Sequence, residues 1–343
     1  MVRLFFVVTL LLSSCFAQQS YTDLLQHWDY DKSASLDLKE TGVQNRNGIA
    51  VHDISYATSV GDRGARLGPN AGRVTAYLVV PPGKGPHPAV IYGHWCMPGS
   101  AKMNRTEFLD EALLLAKSGV ISLLPNHVIT NPGFVQDNSE LNQQQIDVLV
   151  QQVTNMRRGA DLLLARKDVA PNRIAFVGHS CNGQVAALLS GIDERFKAIV
   201  VMASGLSDEV DVKTEQYQDY RKKVGGQKFD AFLATYNWTD PGKYISHSNH
   251  VDKLLQFASD EPFLKPGLVQ KYMPFVADPK VWHIYNAPHA LNAKATQDRI
   301  NFLSSELKFP KPSPKLVAAL PALEQPEWPK PQSEGKKDNN EGH

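Results

Sequence analysis

The apolar positions fall into short runs joined by segments of helical period. Ile49, Val51 and Ile54 alternate with polar neighbours and predict a half-buried strand over 49–57. R-V-T-A-Y-L-V-V at 73–80 predicts a second strand, stopped by Pro81 and Pro82. These two make an antiparallel lead-in. The pattern then changes. Short apolar runs at 89–92, 120–124, 174–177, 197–203, 254–258 and 281–285 predict buried strands. Between them lie helical stretches. Phe108, Ala112 and Leu115 share one face of 106–117. Ile146, Leu149, Val153, Met156, Ala160 and Leu163 do so over 141–166, and Ala293, Thr296, Ile300, Leu303 and Leu307 over 293–307. This alternation predicts an α/β fold, a mostly parallel, doubly wound sheet with helices on both faces.

Other stretches frame that sheet. Residues 21–38 read as a short helix and an extended segment, 59–72 as a turn rich in Gly and Arg, and 126–138 as a polar loop. Residues 208–244 break the alternation with helices carrying Tyr217, Tyr220, Phe229, Phe232, Tyr236 and Trp238. We read a small helical lid inserted at about 205–250, with an elongated crossover as the plainer alternative. From Phe309 on, seven prolines precede a polar end, which predicts a Pro-rich, largely disordered tail over 309–343 in which 316–323 alone packs back.

Composition narrows the function classes. The 343 residues carry a formal net charge of +1, so no nucleic-acid partner is expected. Arg3, the apolar run 4–12 and the small residues after it predict an export signal over 1–17, too short to span a bilayer. Two processing sites fit. One leaves Cys15 as a lipid-anchored N-terminus, and the other cuts after Ala17. The expected location is periplasmic or extracellular, with the hydrolytic domain over 18–308.

The chemistry centres on R-I-A-F-V-G-H-S-C-N-G-Q-V-A-A-L-L at 173–189. A strand, a sharp turn at Gly178 to Ser180 and a helix from Cys181 make a nucleophile elbow, which lifts a serine hydroxyl clear of a sheet. The fresh helix N-terminus offers unpaired N–H groups to negative charge. Ser180 is the candidate nucleophile. The short motif G-x-S-x-G is broken, because Asn182 stands where its second glycine belongs and Gly183 follows. A serine nucleophile needs a base and an acid that orients it. Two later strands end on suitable groups. K-L-L-Q-F-A-S-D-E-P supplies Asp260, with Glu261 and Asp208 as lesser alternatives. V-W-H-I-Y-N-A-P-H-A-L supplies His289, with His283 as a strand-bound rival. Catalysis also needs an oxyanion hole. One donor is the backbone N–H of Cys181.

Together the stretches V-H-D-I-S-Y-A, A-Y-L-V-V-P-P-G-K-G-P-H-P-A-V-I-Y-G-H-W, G-H-S-C-N-G-Q-V-A-A-L-L and F-K-A-I-V-V-M-A, with the Asp260 and His289 endings, resemble the dienelactone-hydrolase-like branch of the α/β-hydrolases over 48–307. The resemblance implies an α/β-hydrolase fold and the chain order serine, acid, histidine. It implies ordinary serine esterase chemistry, since serine holds the elbow position that cysteine holds in the namesake enzymes. Aligned on that family's His-Gly-x element, His94 matches the histidine and Trp95 the glycine. The second oxyanion donor is then the N–H of Cys96 or of Trp95.

Two cysteines remain in the exported chain, Cys96 and Cys181, both in the stretches assigned to the site. Free buried thiols are their ordinary state, and a Cys96–Cys181 bridge is the alternative that converging oxyanion amides suggest. His94, His127 and His179 follow strand ends, but their spacing matches no metal motif. We expect no metal and no cofactor. His94, His127, His179, Trp95 and Phe134 are candidate pocket walls. The expected function is an exported serine hydrolase that cleaves a small-molecule carboxylic ester or lactone through an acyl-enzyme on Ser180. A peptidase of the same fold and a non-catalytic binding protein on this scaffold are the rivals.

Overall fold

The computed structural model of the chain describes residues 20–97, 100–260 and 264–327. The export signal with Cys15, the alternative acid Glu261 and the end of the tail lie outside the described residues. Nine strands form one sheet in the order β1-β2-β3-β5-β4-β6-β7-β8-β9. They are Lys39–Arg46 (β1), Ile49–Ala57 (β2), Arg73–Val80 (β3), His87–Gly93 (β4), Ile121–Pro125 (β5), Val169–His179 (β6), Ala198–Met202 (β7), Asp252–Ala258 (β8) and Lys280–Tyr285 (β9). The pairs β1–β2, β2–β3 and β3–β5 are antiparallel, and all others are parallel.

The expected doubly wound sheet is therefore present, with one strand more than predicted. Lys39–Arg46 is polar and almost fully exposed, so no apolar alternation marks it. Its signal is the turn. Asn47 and Gly48 both have positive φ, 53° and 84°, and close a hairpin in which Arg46 faces Ile49.

Each face of the sheet carries a helical layer. The Gln143–Leu164 and Cys181–Ile192 helices bury Val153, Met156, Ala160 and Leu188 against one side. The Leu109–Ala116 and Ala293–Leu307 helices bury Ala112, Leu115, Ile300 and Leu303 against the other. Between β7 and β8 the predicted insertion forms Asp208–Asp211, Glu215–Val224, Gly226–Tyr236 and Gly242–Ile245. A Pro266–Tyr272 helix between β8 and β9 has no counterpart in the sequence reading.

The tail packs over more than the 316–323 stretch expected to do so. Phe309 and Val317 are buried in the core of the second face, and Pro314–Ala318 is helical. Prolines at N1 and in extended backbone cost little, so a Pro-rich segment can pack when apolar residues punctuate it.

A buried ion pair joins the two helices of that second face. Arg299 donates from Nε to Glu111 Oε1 at 3.1 Å and from Nη2 to Oε2. Tyr92 donates to the same carboxylate at 3.2 Å, and Arg299 Nη1 to Gln256 at 3.2 Å. Both ions are out of water, so removing one strands the other. Glu111→Ala should cost about 3–5 kcal/mol of unfolding free energy in a urea titration. A loss below about 1 kcal/mol would contradict this account of the interface.

Candidate active site

The parallel register brings three strand ends side by side. Gly93 pairs with Gly178, and His179 with Met202, so β4, β6 and β7 finish next to one another. Ser180 follows β6 directly and caps the Cys181–Ile192 helix, with φ 59° and ψ −116°. Such angles are strained for a residue with a side chain, and surrounding contacts must hold them. The Ser180 amide donates to Met202 O at 2.8 Å, and its carbonyl accepts from the amides of Gly183 and Gln184 at 2.8 and 3.2 Å. A Cβ on Gly178 would collide with the Asn182 carbonyl, so glycine there is a packing requirement.

The broken elbow motif now has a physical reading. Asn182 is fully buried. Its Nδ2 donates to His94 O at 2.6 Å, and its Oδ1 accepts from Gln152 Nε2 at 3.0 Å. A Cβ on Gly93 would lie 2.6 Å from Asn182 Cβ. The bulk absent at Gly93 makes room for the side chain at 182. Asn182 thus ties the elbow helix to the loop after β4.

A second tie runs through Glu107, just before the Leu109–Ala116 helix. Its carboxylate accepts the Trp95 amide at 2.9 Å through Oε2 and meets His179 Nδ1 at 2.5 Å through Oε1. The Glu107 and His179 side chains are essentially inaccessible. His179 Nε2 lies 3.1 Å from the carbonyl oxygen of His289. A carbonyl only accepts, so Nε2 carries a proton, and the second proton lies in the contact with Glu107. One buried pair therefore touches the loop of Trp95, the elbow and the loop of His289. The rings of His179 and His289 also stack, with centroids 5.0 Å apart. Nothing in the sequence pointed to Glu107, which falls inside the helix expected over 106–117 but precedes the observed one.

His94 completes the loop after β4. Its Nε2 accepts the His127 amide at 3.0 Å, so Nδ1 bears the proton and donates to Trp95 O at 2.7 Å. Burial pushes both imidazoles below the ordinary histidine value, that of His127 to about 3. Both rings are held neutral.

The predicted site residues separate into two groups. Ser180, Cys181, Cys96 and His289 line one pocket of about 670 Å³, joined by Gln184, Asp208, Asp211, Thr214, Tyr217, Tyr220 and Leu264. The insertion between β7 and β8 thus walls the pocket. His94, His127 and His179 do not line it; they are buried behind it as framework. Trp95 is likewise buried. Its amide is committed to Glu107, so of the two amides expected as second oxyanion donor that of Trp95 is already occupied. Phe134 packs against a separate small cluster with Leu67, Ala71 and Val128. The cysteines are bridged, with Cα atoms 5.9 Å apart, the alternative to the free thiols that the sequence left open. Adjacent strand ends converge closely enough to satisfy the short reach of a disulfide.

Asp260 also departs from expectation. A buried aspartate facing His289 was predicted, but Asp260 is exposed. Its amide donates to Ala287 O at 3.1 Å, while its carboxylate makes no hydrogen bond or ion pair among the described residues. It holds the histidine loop by its backbone only. On the far side, the tail residue Gln325 accepts the Ala290 amide at 2.9 Å.

The pocket wall is acidic. Asp208 is pushed up to about 7 by burial and then by Asp240 and Asp211. Asp211 is pushed up to about 6 by burial, although its bond from Tyr272 opposes this. A raised carboxyl stabilises the fold while protonated, and that contribution is lost as pH climbs through its folded value. Thermal stability should therefore fall between about pH 4 and 7. The double change Asp208→Asn with Asp211→Asn should flatten the profile; an unchanged slope would refute the assignment. For the second tie, Glu107→Gln should lower kcat about 100-fold with little change in KM, because a small displacement of reacting groups is costly. Near-normal kcat would show that the buried pair does not position the site.

No protein-family model matches the chain, and no curated protein matches it in sequence. Solved structures do. An acetyl xylan esterase from Paenibacillus sp. R4 superposes with TM-score 0.64 at 19% identity, over 83% of this chain and 95% of that one. Acetyl xylan esterase 1 from Thermoanaerobacterium sp. JW/SL YS485 gives 0.63 at 16%, over 82% and 93%. An S-formylglutathione hydrolase from Agrobacterium tumefaciens gives 0.54 at 15%, over 78% and 99%. With its nine-stranded, mostly parallel sheet and the serine elbow at the end of β6, the chain has the α/β-hydrolase fold.

Proposed function

We propose that the protein is a serine hydrolase that cleaves carboxylic esters or lactones. One observation carries the reading. Ser180, in strained elbow geometry at a helix N-terminus, shares a pocket with His289 and with the residues that bear both oxyanion amides, Cys96 and Cys181. Ser180 Oγ attacks the ester carbonyl while His289 takes its proton. The Cys181 and Cys96 amides stabilise the oxyanion. His289 then protonates the leaving alcohol, and water activated by the same imidazole releases the acid. The acetyl xylan esterases among the similar structures favour acylated carbohydrate as the substrate class. The insertion wall brings Tyr217 to the pocket beside Thr214 and Tyr220, whose hydroxyls donate to Asp211 O and to Glu140.

The binding-protein alternative drew its support from Asn182 and the altered loop after β4. Gly93 accommodates the first, and His94 and Glu107 brace the second. Export remains part of the proposal, supported by the disulfide, which suits an oxidising compartment. The acid is reassigned. With the Asp260 carboxylate in solvent, Glu261 is the remaining acid at that strand end.

Hydrolysis of p-nitrophenyl acetate tests this directly. Ser180→Ala should remove at least about 1,000-fold of kcat/KM. Glu261→Gln should lose about 1,000- to 10,000-fold, as an orienting acid does, whereas Asp260→Asn should stay within a few-fold of wild type. An unaffected Ser180→Ala variant would overturn the mechanism. The reverse order of the two acid variants would restore Asp260.

A further inference from the structure

The two bridged cysteines do not stand alone. One ring nitrogen of His127 and the sulfurs of Cys96 and Cys181 all lie within 4.8 Å of one another. Each of the three is fixed by its backbone. His127 is anchored through its amide to His94, and Cys96 follows the loop braced by Glu107. Cys181 opens the elbow helix, whose next residue is tied to His94. Both cysteines line the pocket of Ser180, while His127 sits behind them.

We propose that opening the Cys96–Cys181 disulfide creates a metal site, in which both thiolates and His127 bind one thiophilic ion of the Zn²⁺ or Cu⁺ class. The opening is a two-electron exchange. A dithiol reductant passes two electrons and two protons to the bridge, becomes a disulfide itself and leaves Cys96 and Cys181 as thiols. The metal ion then displaces the two thiol protons to solvent. Tetrahedral zinc holds sulfur at about 2.3 Å and imidazole nitrogen at about 2.0–2.1 Å. Ligand atoms in such a site stand about 3.7 Å apart, so the two sulfurs must part from bonding distance once the bridge opens, while their Cα atoms stay 5.9 Å apart. Two thiolates and one imidazole suit soft and borderline ions and leave a fourth position open. His127 Nδ1 accepts the Ile129 amide at 3.3 Å, so ligation through Nε2 moves the ring proton to Nδ1 and releases that amide.

The consequence for catalysis rests on the proposed hydrolase. An ion held by the residues that carry both oxyanion amides sits in the wall of the ester pocket. The bridged enzyme is then the active state, and the reduced, metal-bound enzyme is closed to substrate. The pocket becomes a site that reads both redox state and metal.

Cadmium titration of the full chain tests the site without relying on activity. The protein is reduced with a dithiol, desalted without air, and followed by thiolate-to-cadmium charge-transfer absorption. One Cd²⁺ per chain is expected after reduction and none before it. Cys96→Ser and Cys181→Ser should abolish the band. Loss of even an outer partner of a metal ligand costs about 10–100-fold in affinity. His127→Gln, a direct ligand change in a chain that keeps both thiols, should weaken binding by at least that much. Ser180→Ala should bind as wild type does, which separates this site from the hydrolase reading. Reduced protein in which Cys96 and Cys181 both titrate as thiols and no band forms would overturn the proposal. So would equal affinity in His127→Gln, or equal binding by the bridged form. If the site forms, Zn²⁺ should inhibit esterase activity only after reduction, and a chelator should restore it.

Discussion

The contact between Glu107 and His179 is the constraint on which the candidate site depends. A carboxylate and an imidazole with no access to water are costly to bury unless each finds its partners. Here they do. Glu107 also takes the Trp95 amide, and His179 also reaches the His289 carbonyl. The cost of burial therefore enforces a geometry. The loop after β4, the elbow and the histidine loop cannot separate without stranding charge or a polar group. A sheet alone would align the strand ends, but it would not position the loops beyond them.

The elbow and the oxyanion loop are joined twice more. Asn182 replaces a motif glycine and uses its amide to hold His94 O, in space opened by Gly93. The disulfide links the residues on either side of the proposed oxyanion hole, Cys96 and Cys181. Preorganised amides stabilise an oxyanion because no reorientation is needed when charge develops. This chain reaches that rigidity with a buried amide and a covalent bridge where the short motif relies on close glycine packing. The pocket also has a wall from the insertion, whose Asp208 and Asp211 carboxyls burial pushes up to about 7 and about 6.

Much of the fold was legible because apolar periodicity changes when burial changes. The parallel strands and long helices, the Gln143–Leu164 helix above all, appear where the pattern put them. What the pattern missed has no buried face or is held by polar contacts. Lys39–Arg46 pairs through its backbone alone, and only the Asn47-Gly48 turn announces it. Phe309 was hidden among prolines, whereas Val317 lies in the stretch expected to pack back. Ser180 and His289 were read off strand ends, and both line one pocket. The exposure of Asp260, and the framework roles of His94, His127 and His179, were not legible. They depend on which way a side chain turns after a strand ends, and residue spacing carries no information about that. Glu107 was silent for the same reason, since its partners lie far away in the chain.

The central claim is that Ser180 is a nucleophile activated by its surroundings. Treating the purified, bridged protein with a fluorophosphonate and locating the adduct by peptide mass tests it most directly. The account predicts one adduct per chain, on the peptide that carries Ser180, and none in Ser180→Ala. A well-folded wild-type protein that gains no adduct, or gains it on another residue, would contradict the account.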